Sequence, residues 1–431
     1  MLERFFLKPQ TLDRIRDSWL GESIAQYVVW LADQGYAARN VYRRVPLLVR
    51  FGEFARKRGA KRLEDLPAHV SAFVEARLLR RPHERKNRGV RALGNEIRGP
   101  IRQFLHLITP DHAQGKSRGP YCELPFVEQA PGFFSYLREE RGLRETSLYA
   151  YGFHLRRLEK YLRRIGAGDL AALSPAILSA FVADCHGAPE AGRSGKRLGR
   201  SSMIGLCCSL RVFLRYLHRE GLIARDLSSA IEAPRHYRLA DVPRCISWEE
   251  VRQVLEAVDR RTAVGRRDYA MLLLMVTYGL RGHEVAGLTL DDLDWERERL
   301  RVPERKAGHS TAYPLSSAVG EAVLDYLQHG RPQSADRHLF LRVLAPFAPL
   351  RGYSVSNQAT CHLRRAGIRV ARPGSHTFRH SCIQRLVDAD FSFKTIGDYV
   401  GHRSPSSTKV YTKIAIGALR EVALGDGEEI A

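Results

Sequence analysis

A long internal repeat in the first half of the chain constrains the fold more than any other feature. Residues 27–73 and 134–181 match at a constant offset of 107 residues, until the register slips by one near the end of each copy. The matched positions are Gly35 with Gly142, Tyr42 with Tyr149, Phe54 with Tyr161, Gly59 with Gly166, Leu63 with Leu170 and, after the slip, Ser71 to Val74 with Ser179 to Val182. Such self-similarity indicates duplication of one structural unit.

Each copy has the apolar periodicity of amphipathic helices. In the second copy Tyr151, Leu155, Leu158 and Leu162 recur at three- and four-residue steps, and polar faces carry arginine and lysine. Basic loops at 80–91 and 192–202 precede the related segments IRQFL and LRVFL; these loops are interpreted as following phosphates, as flexible, or as both. Two ordinary helical bundles that resemble each other by chance are the alternative to duplication.

Changes in this pattern divide the chain into three domains joined by two linkers. Residues 108–130 and 232–246 contain proline and lack periodicity, so 1–107 and 131–231 are each expected to form a helical domain. The third domain, 247–431, begins with Ser247 and Glu250, which fit a capping box. Its helical patterns lie at 248–259, 267–279, 317–328, 356–366, 377–388 and 393–400, and its strand-like segments at 300–304 and 311–315. The predicted fold class is mainly α, with a mixed α/β domain that contains a small antiparallel sheet.

The net charge indicates the class of partner. Lysine and arginine number 69 against 47 aspartate and glutamate, which gives a formal charge of +22 and a pI near 10.0. A nucleic acid is the natural counterpart, and an anionic membrane or a solvated basic surface is the alternative. No apolar run approaches the ~18 residues of a membrane-spanning helix and the N-terminus lacks a signal-peptide core, so we expect a cytoplasmic protein without a membrane partner. Seven scattered cysteines predict reduced thiols and no metal site.

Arg281 occupies an unusual position for a charge. Phosphodiester transfer without a metal requires a nucleophile, cations against the non-bridging oxygens and an acid for the leaving oxygen. Arg281 ends the apolar segment YAMLLLMVTYGL between Gly279 and Gly282. A charge at the end of a buried helix needs an anion or a carboxylate, because its desolvation is otherwise costly. A phosphate is one such partner, and a structural ion pair with Glu284 is the alternative.

Further candidates lie near the C-terminal end. His376 and Arg379 are three residues apart at the start of a helical pattern, so both can contact one phosphate, although a solvated face is the usual alternative. His402 follows an apolar helix and a glycine. Tyr411 is an isolated tyrosine near Lys409 and Lys413, and packing is its alternative role. A free phenol has a pKa of about 10, so a tyrosine nucleophile needs cations near its oxygen.

The segments YGLRGHE, HTFRH, VGH and VYTK, in this order, resemble the catalytic boxes of the tyrosine recombinase (phage integrase) family. The resemblance covers about 247–415. Residue by residue, it implies the family's two arginines, two histidines and nucleophile at Arg281, Arg379, His376, His402 and Tyr411. The family's lysine lies on a β-hairpin eight residues before a Pro-Leu pair, which implies Lys306. Departures from the pattern are GHE after Arg281, Phe378 for a usual leucine, and Thr311 where many members have a basic residue.

The resemblance also implies an activity, which is site-specific DNA recombination in the service of a mobile element. Tyr411 would form a 3′-phosphotyrosyl bond while Lys306 protonates the leaving oxygen, without metal, ATP or another cofactor. The implied partners are double-stranded DNA and a tetramer, of identical subunits or with related recombinases, on a Holliday junction. The tail 414–431 is either a helix that docks on a neighbouring subunit or a frayed terminus. A type IB topoisomerase, which shares this chemistry, and a non-catalytic DNA-binding regulator are the alternative functions.

The two helical domains receive different interpretations. Residues 134–217 are similar to the family's core-binding domain, which clamps DNA opposite the catalytic domain. The earlier copy, 22–107, exceeds the family's two-domain plan. It is interpreted as a second DNA clamp, an arm-site binder or a protein-contact module.

Overall fold

The structure is a computed structural model that describes residues 2–79, 89–109, 124–186, 198–235, 245–303 and 310–402. Within these ranges the chain is mainly helical and has one small antiparallel sheet, which confirms the predicted fold class. Lys306, Tyr411 and the tail 414–431 lie outside the described residues, as do most of the two basic loops and of the two linkers.

The chain divides into two compact units, Met1–Ile108 with Asp241–Ala431, and Thr109–Ala240. In the described ranges the first unit contains two main hydrophobic cores, one in the N-terminal helices and one after residue 245, and the second unit contains a core of its own. The division into domains at 1–107, 131–231 and 247–431 stays a prediction.

The N-terminal core lies between helices whose apolar residues recur on one face. These helices are α1 Pro9–Arg16, α2 Gly21–Asp33, α3 Ala38–Lys57, α4 Leu66–Leu79 and α5 Val90–Ile108. Tyr27, Phe51 and Phe104 are fully buried among them. Burial of this face stabilises the helices, since helices of this length are marginal in water by themselves.

The second unit has the same plan. A short helix Phe133–Ser135 continues as a π-helical turn Tyr136–Glu140, followed by α6 Glu145–Arg164, α7 Pro175–His186 and α8 Arg200–Arg219. Its core is lined mostly by leucine and phenylalanine side chains from these helices.

The repeat seen in the sequence is also a repeat of local structure. Helices α3 and α6 each contain 20 residues. In each copy a ring of this helix packs against a phenylalanine of the next helix, with Phe54–Phe73 and Tyr161–Phe181 centroids both 5.3 Å apart. These ring pairs span the one-residue slip in register. The two segments therefore share packing as well as periodicity.

The region after residue 245 surrounds its core with helices and the sheet. The helices are α9 Trp248–Glu256, α10 Ala263–Tyr278, α11 Gly282–Gly287, α12 Ser317–His329, α13 Gly352–Arg365, α14 Ser375–Asp388 and α15 Phe393–Val400. Strands β1 Leu293–Asp294, β2 Arg299–Val302 and β3 Thr311–Pro314 pair antiparallel in the order β1-β2-β3. Leu300 of β2 lies opposite Leu293 and Tyr313. None of the described helices is both long enough and apolar enough to cross a bilayer.

Local capping explains where these helices begin. Ser247 and Glu250 form the expected capping box at the start of α9. Helix α10 starts at Ala263, earlier than predicted, because the Thr262 hydroxyl accepts a hydrogen bond from the Gly265 amide at 3.0 Å. Helix α15 has the predicted bounds. The sequence pattern predicts neither α11 nor β1, since both are too short to show periodicity.

Asp268 joins α10 to α13 inside the core. Its carboxylate accepts hydrogen bonds from Arg267 at 2.7 Å and from Nε2 of His362 at 3.0 Å, and all three side chains are buried. Buried charges are stable only when they are paired in this way. The pairing fixes the helix that leads to Arg281 against the helix that precedes α14.

Candidate active site

The end of α10 is built to turn sharply. Its apolar residues are almost all buried, and it ends at Gly279, which has left-handed backbone angles of φ 60° and ψ 30°. A Cβ at this position would lie 2.9 Å from Cγ1 of Val400 at the end of α15. Glycine therefore allows both the turn and the close approach of α15. The turn places Arg281 at the N-terminus of α11.

Arg281 contacts both a carboxylate and the end of α15. Its backbone amide donates to Oε2 of Glu284 and its Nη1 donates to Oε1, each at 2.8 Å. Its Nη2 donates to the Gly401 carbonyl at 3.1 Å. The ion pair considered from the sequence is thus present. It also orients the guanidinium, whose side chain remains 13% exposed.

Arg379 is buried in the same place. It lies in the second turn of α14, is 2% exposed, and donates from Nη2 to the Val400 carbonyl at 2.8 Å and from Nη1 to the Gly279 carbonyl. The two arginines therefore bind consecutive carbonyls, Val400 and Gly401. Cations at the C-terminus of a helix are favoured by the helix dipole, which helps to offset their desolvation.

Two histidines of α14 border this arginine pair, and a third, His402, follows α15. Partial burial lowers the pKa of His376, and the positive charges of Arg379 and Arg281 lower it further. Its ring lies 6.1 Å from that of His380, whose pKa burial lowers to about 4. Both rings are therefore neutral near pH 7. His402 follows Gly401, and its amide donates to the Gly397 carbonyl at 2.8 Å.

The described residues thus bring Arg281, Arg379 and His376 together at the junction of α10, α14 and α15, and the backbone of His402 follows directly on Gly401. Lys306 belongs to the segment between β2 and β3, and Tyr411 follows His402 by nine residues; both lie outside the described residues. Two guanidinium groups beside the imidazole of His376 form a site suited to a phosphate. Among the described residues, no cluster of histidine, cysteine, aspartate or glutamate could hold a metal ion.

Sequence reasoning missed three tyrosines beside this junction. Tyr278, Tyr313 and Tyr399 pack ring against ring, with centroid distances of 4.9 Å and 5.1 Å. Each stands inside or next to a segment singled out from the sequence, namely YGLRGHE, the strand-like segment 311–315 and VGH. Their position beside these segments was the only sequence feature that could have indicated them, but a single aromatic residue next to a motif ordinarily packs in the core.

Two family models match the chain. The Phage integrase family matches residues 244–416, and the Phage integrase N-terminal SAM-like domain matches 131–221. Integrase/recombinase y4rA of Sinorhizobium fredii is 31% identical over 405 residues, which cover 93% of each chain. Tyrosine recombinase XerD of Mycobacterium tuberculosis is 30% identical over 307 residues, 69% of this chain and 96% of that protein.

The chain belongs to the phage integrase family of tyrosine recombinases. It is therefore an enzyme of site-specific DNA recombination. The match to y4rA extends through most of the N-terminal helical region, because it includes 405 of the 431 residues. That region is thus shared with at least one other recombinase.

Solved recombinases share the fold at low sequence identity. XerH bound to palindromic difH is 17% identical, with a TM-score of 0.53 over 68% of this chain and 84% of that one. A lambda integrase tetramer bound to a Holliday junction is 16% identical, with a TM-score of 0.52 over 73% of this chain and 85% of that one. Both similarities concern the fold alone.

Proposed function

We propose that this recombinase breaks and rejoins DNA through a 3′-phosphotyrosyl bond to Tyr411, without metal, ATP or another cofactor. The observation that carries the proposal is the anchoring of Arg281 and Arg379 to the consecutive carbonyls of Gly401 and Val400. These carbonyls immediately precede His402. The residues that anchor the arginine pair, Val400 and Gly401, therefore lie ten or so positions before the proposed nucleophile in the sequence.

Each proposed catalytic group has a defined task. The Tyr411 oxygen attacks the phosphorus, the bond to the 5′ oxygen breaks, and Lys306 gives that oxygen its proton. Arg281 and Arg379 neutralise the charge that develops on the non-bridging oxygens. His376 accepts the tyrosine proton, for which its lowered pKa keeps it neutral, and His402 donates a hydrogen bond to the phosphate. The 5′ hydroxyl of a partner strand reverses the step and completes strand exchange.

We further propose that the working assembly is a tetramer, of identical subunits or with related recombinases, on two DNA sites joined as a Holliday junction. The lambda integrase that shares this fold was captured as a tetramer on such a junction. The tail 414–431 is proposed to dock on a neighbouring subunit. We also propose a cytoplasmic location, which a DNA substrate supports, and service to a mobile element, which the names of the integrase relatives support.

Covalent trapping tests the nucleophile and identifies the target together. The wild-type protein is incubated with genomic DNA, the mixture is denatured, and DNA that remains bound is sequenced. We expect enrichment of one sequence, loss of the adduct in Tyr411→Phe, and retention in the control Tyr353→Phe, which removes an exposed hydroxyl of the same region. An adduct that survives in Tyr411→Phe contradicts the proposal. Relaxation of a supercoiled plasmid without the enriched sequence would indicate topoisomerase activity instead.

A further inference from the structure

Three buried or half-buried tyrosines connect the sheet to the helix ends that hold the arginine pair. The hydroxyl of Tyr313, on β3, donates to the backbone carbonyl of Tyr399. The hydroxyl of Tyr399 donates to the Thr277 carbonyl in the last turn of α10 at 2.8 Å. The hydroxyl of Tyr278 donates to the Pro314 carbonyl at 2.9 Å and accepts from the Ser316 amide at 3.0 Å. Each hydroxyl therefore joins two different elements.

One of these acceptor carbonyls, that of Tyr399, is next in the chain to the carbonyls that the arginine pair binds. Tyr399, Val400 and Gly401 are consecutive, and their carbonyls accept hydrogen bonds from Tyr313, Arg379 and Arg281 respectively. The end of α15 is thus held at three successive residues by β3, by α14 and by the junction of α10 and α11. A shift of β3 relative to α15 would therefore change the position of the strand with respect to the acceptors of both guanidinium groups.

The hydrogen bonds of these hydroxyls restrict the relative orientation of the elements that they join, which apolar contact between rings does not do. Tyr278 and Tyr313 are 2% and 3% exposed, so phenylalanine would preserve most of their apolar contact. A buried hydroxyl, however, needs a partner, and each of these has one in a neighbouring element. The bonds consequently fix how β3, α10 and α15 lie relative to one another.

We propose that Tyr313 and Tyr399 are positioning residues, which couple the placement of the β2–β3 strand pair to the arginine pair. Strand β3 follows the segment that contains Lys306, and α15 precedes the segment that contains Tyr411. The inference rests on the proposed function, in which these two residues are the acid and the nucleophile. The tyrosines hold β3, the end of α15 and the end of α10 in fixed relative positions, and these are the elements that flank the proposed acid and nucleophile in the sequence.

The test compares tyrosine-to-phenylalanine variants in single-turnover cleavage. The substrate is a nicked duplex that carries the sequence recovered by covalent trapping, and the rate of adduct formation, the DNA affinity and the melting temperature are measured. We expect Tyr313→Phe and Tyr399→Phe to slow adduct formation by roughly 10- to 100-fold, because small misplacements of catalytic groups have effects of this size. DNA affinity should change less than about twofold, since neither hydroxyl would contact DNA.

Tyr326→Phe is the matched control. Tyr326 is fully buried in the same region, stacks on Phe340 and accepts a hydrogen bond from the Leu341 amide at 3.2 Å, away from the arginine site. It should lower the melting temperature comparably and leave the cleavage rate unchanged. If Tyr313→Phe slows cleavage no more than Tyr326→Phe, the positioning role is wrong.

A substrate with sulfur at the 5′ bridging position distinguishes a misplaced acid from a general loss of structure in the variants. A thiolate leaves without a proton, so this substrate does not need the acid. We expect it to restore adduct formation by Tyr313→Phe and by the reference variant Lys306→Ala. Failure to restore Tyr313→Phe overturns its link to the Lys306 segment. If wild-type protein forms no adduct at all, the proposed function fails. If wild-type protein forms the adduct and both tyrosine variants form it at the wild-type rate, this inference fails while the proposed function stands.

Discussion

At the scale of single residues, the site is defined by charges that are buried but individually satisfied. Arg379 is almost inaccessible, and its guanidinium binds carbonyls at the ends of both α10 and α15. Arg281 is held by Glu284 and by Gly401. A planar guanidinium suits this arrangement, because its donors diverge towards several acceptors at once.

Replacement of Arg379 by lysine is expected to damage both stability and cleavage. Lysine keeps the charge but cannot bind the Gly279 and Val400 carbonyls in the same geometry. The free energy of unfolding should fall by about 2 kcal/mol, the scale of a lost charged hydrogen bond, and adduct formation by roughly 100-fold. Urea denaturation and single-turnover cleavage measure the two effects.

Arg385→Lys is the control for this change. Arg385 lies on the same helix, where its guanidinium covers the Trp248 ring at 4.1 Å, away from the arginine pair. It should leave cleavage unchanged. Equal cleavage by the two lysine variants would exclude a special role for Arg379.

His380 is expected to make the fold sensitive to mild acid. Burial lowers its pKa to about 4, so between about pH 6.5 and pH 4 the folded protein binds fewer protons than the unfolded chain. The free energy of unfolding therefore decreases as the pH falls through this window, by about 2 kcal/mol from pH 7 to pH 5 for this group. Urea denaturation of wild type and His380→Asn at both pH values measures it. The variant should show a smaller decrease, and identical decreases would refute the assignment.

At the scale of elements, the site is a meeting of helix ends. Helix α10 ends at Gly279 and α15 at Gly401, both with left-handed backbone angles. Helix α14 brings Arg379 to the two ends. Since the last carbonyls of a helix have no partner within it, such ends offer acceptors to side chains from other elements. The arginines use these acceptors.

Comparison of Gly279→Ala with a control glycine should distinguish the cost of the left-handed turn from the cost of crowding α15. Alanine at a positive φ costs about 1 kcal/mol, and its Cβ would in addition lie 2.9 Å from Val400. Gly367→Ala is the control, because Gly367 has φ +75° and a Cβ there meets nothing within 4 Å. We expect a greater loss of stability for Gly279→Ala and a reduced cleavage rate for that variant only. Denaturation and single-turnover cleavage test this, and equal effects of the two variants would show that the contact with Val400 is unimportant.

At the scale of the whole molecule, excess positive charge extends over both helical regions and the region after residue 245. Residues 1–107 contain 22 lysines and arginines against 11 aspartates and glutamates, so this quarter of the chain holds half of the net charge. When such charges neutralise DNA phosphates, counterions are released from the DNA, and this release contributes to the free energy of binding.

DNA binding is accordingly expected to weaken steeply with salt. If at least six phosphates are contacted, affinity should fall by roughly 1,000-fold between 50 and 200 mM monovalent salt. Fluorescence anisotropy with a labelled duplex measures the slope of log affinity against log salt. A slope that corresponds to only one or two contacts would contradict DNA binding by an extended basic surface.

Properties that depend on neighbours in the chain were open to prediction from the sequence. The repeated helical unit, the capping box at Ser247 and the bounds of α15 all reflect periodicity or capping within a few residues. The order of the segments that resemble the family's catalytic boxes likewise indicated the family. Contacts between distant segments were not open to prediction in this way, because periodicity carries no information about which surfaces meet.

The tertiary structure alone decided how those segments combine. The hydrogen bond from Tyr313 to Tyr399 joins residues 86 positions apart, and that from Arg379 to Gly279 joins residues 100 positions apart. The sequence by itself determined the helices, the charge and the family of this protein. Only the packing of α10, α14, α15 and β3 against one another decided that two buried guanidinium groups bind the carbonyls of adjacent residues, since that arrangement needs acceptors from several elements at once.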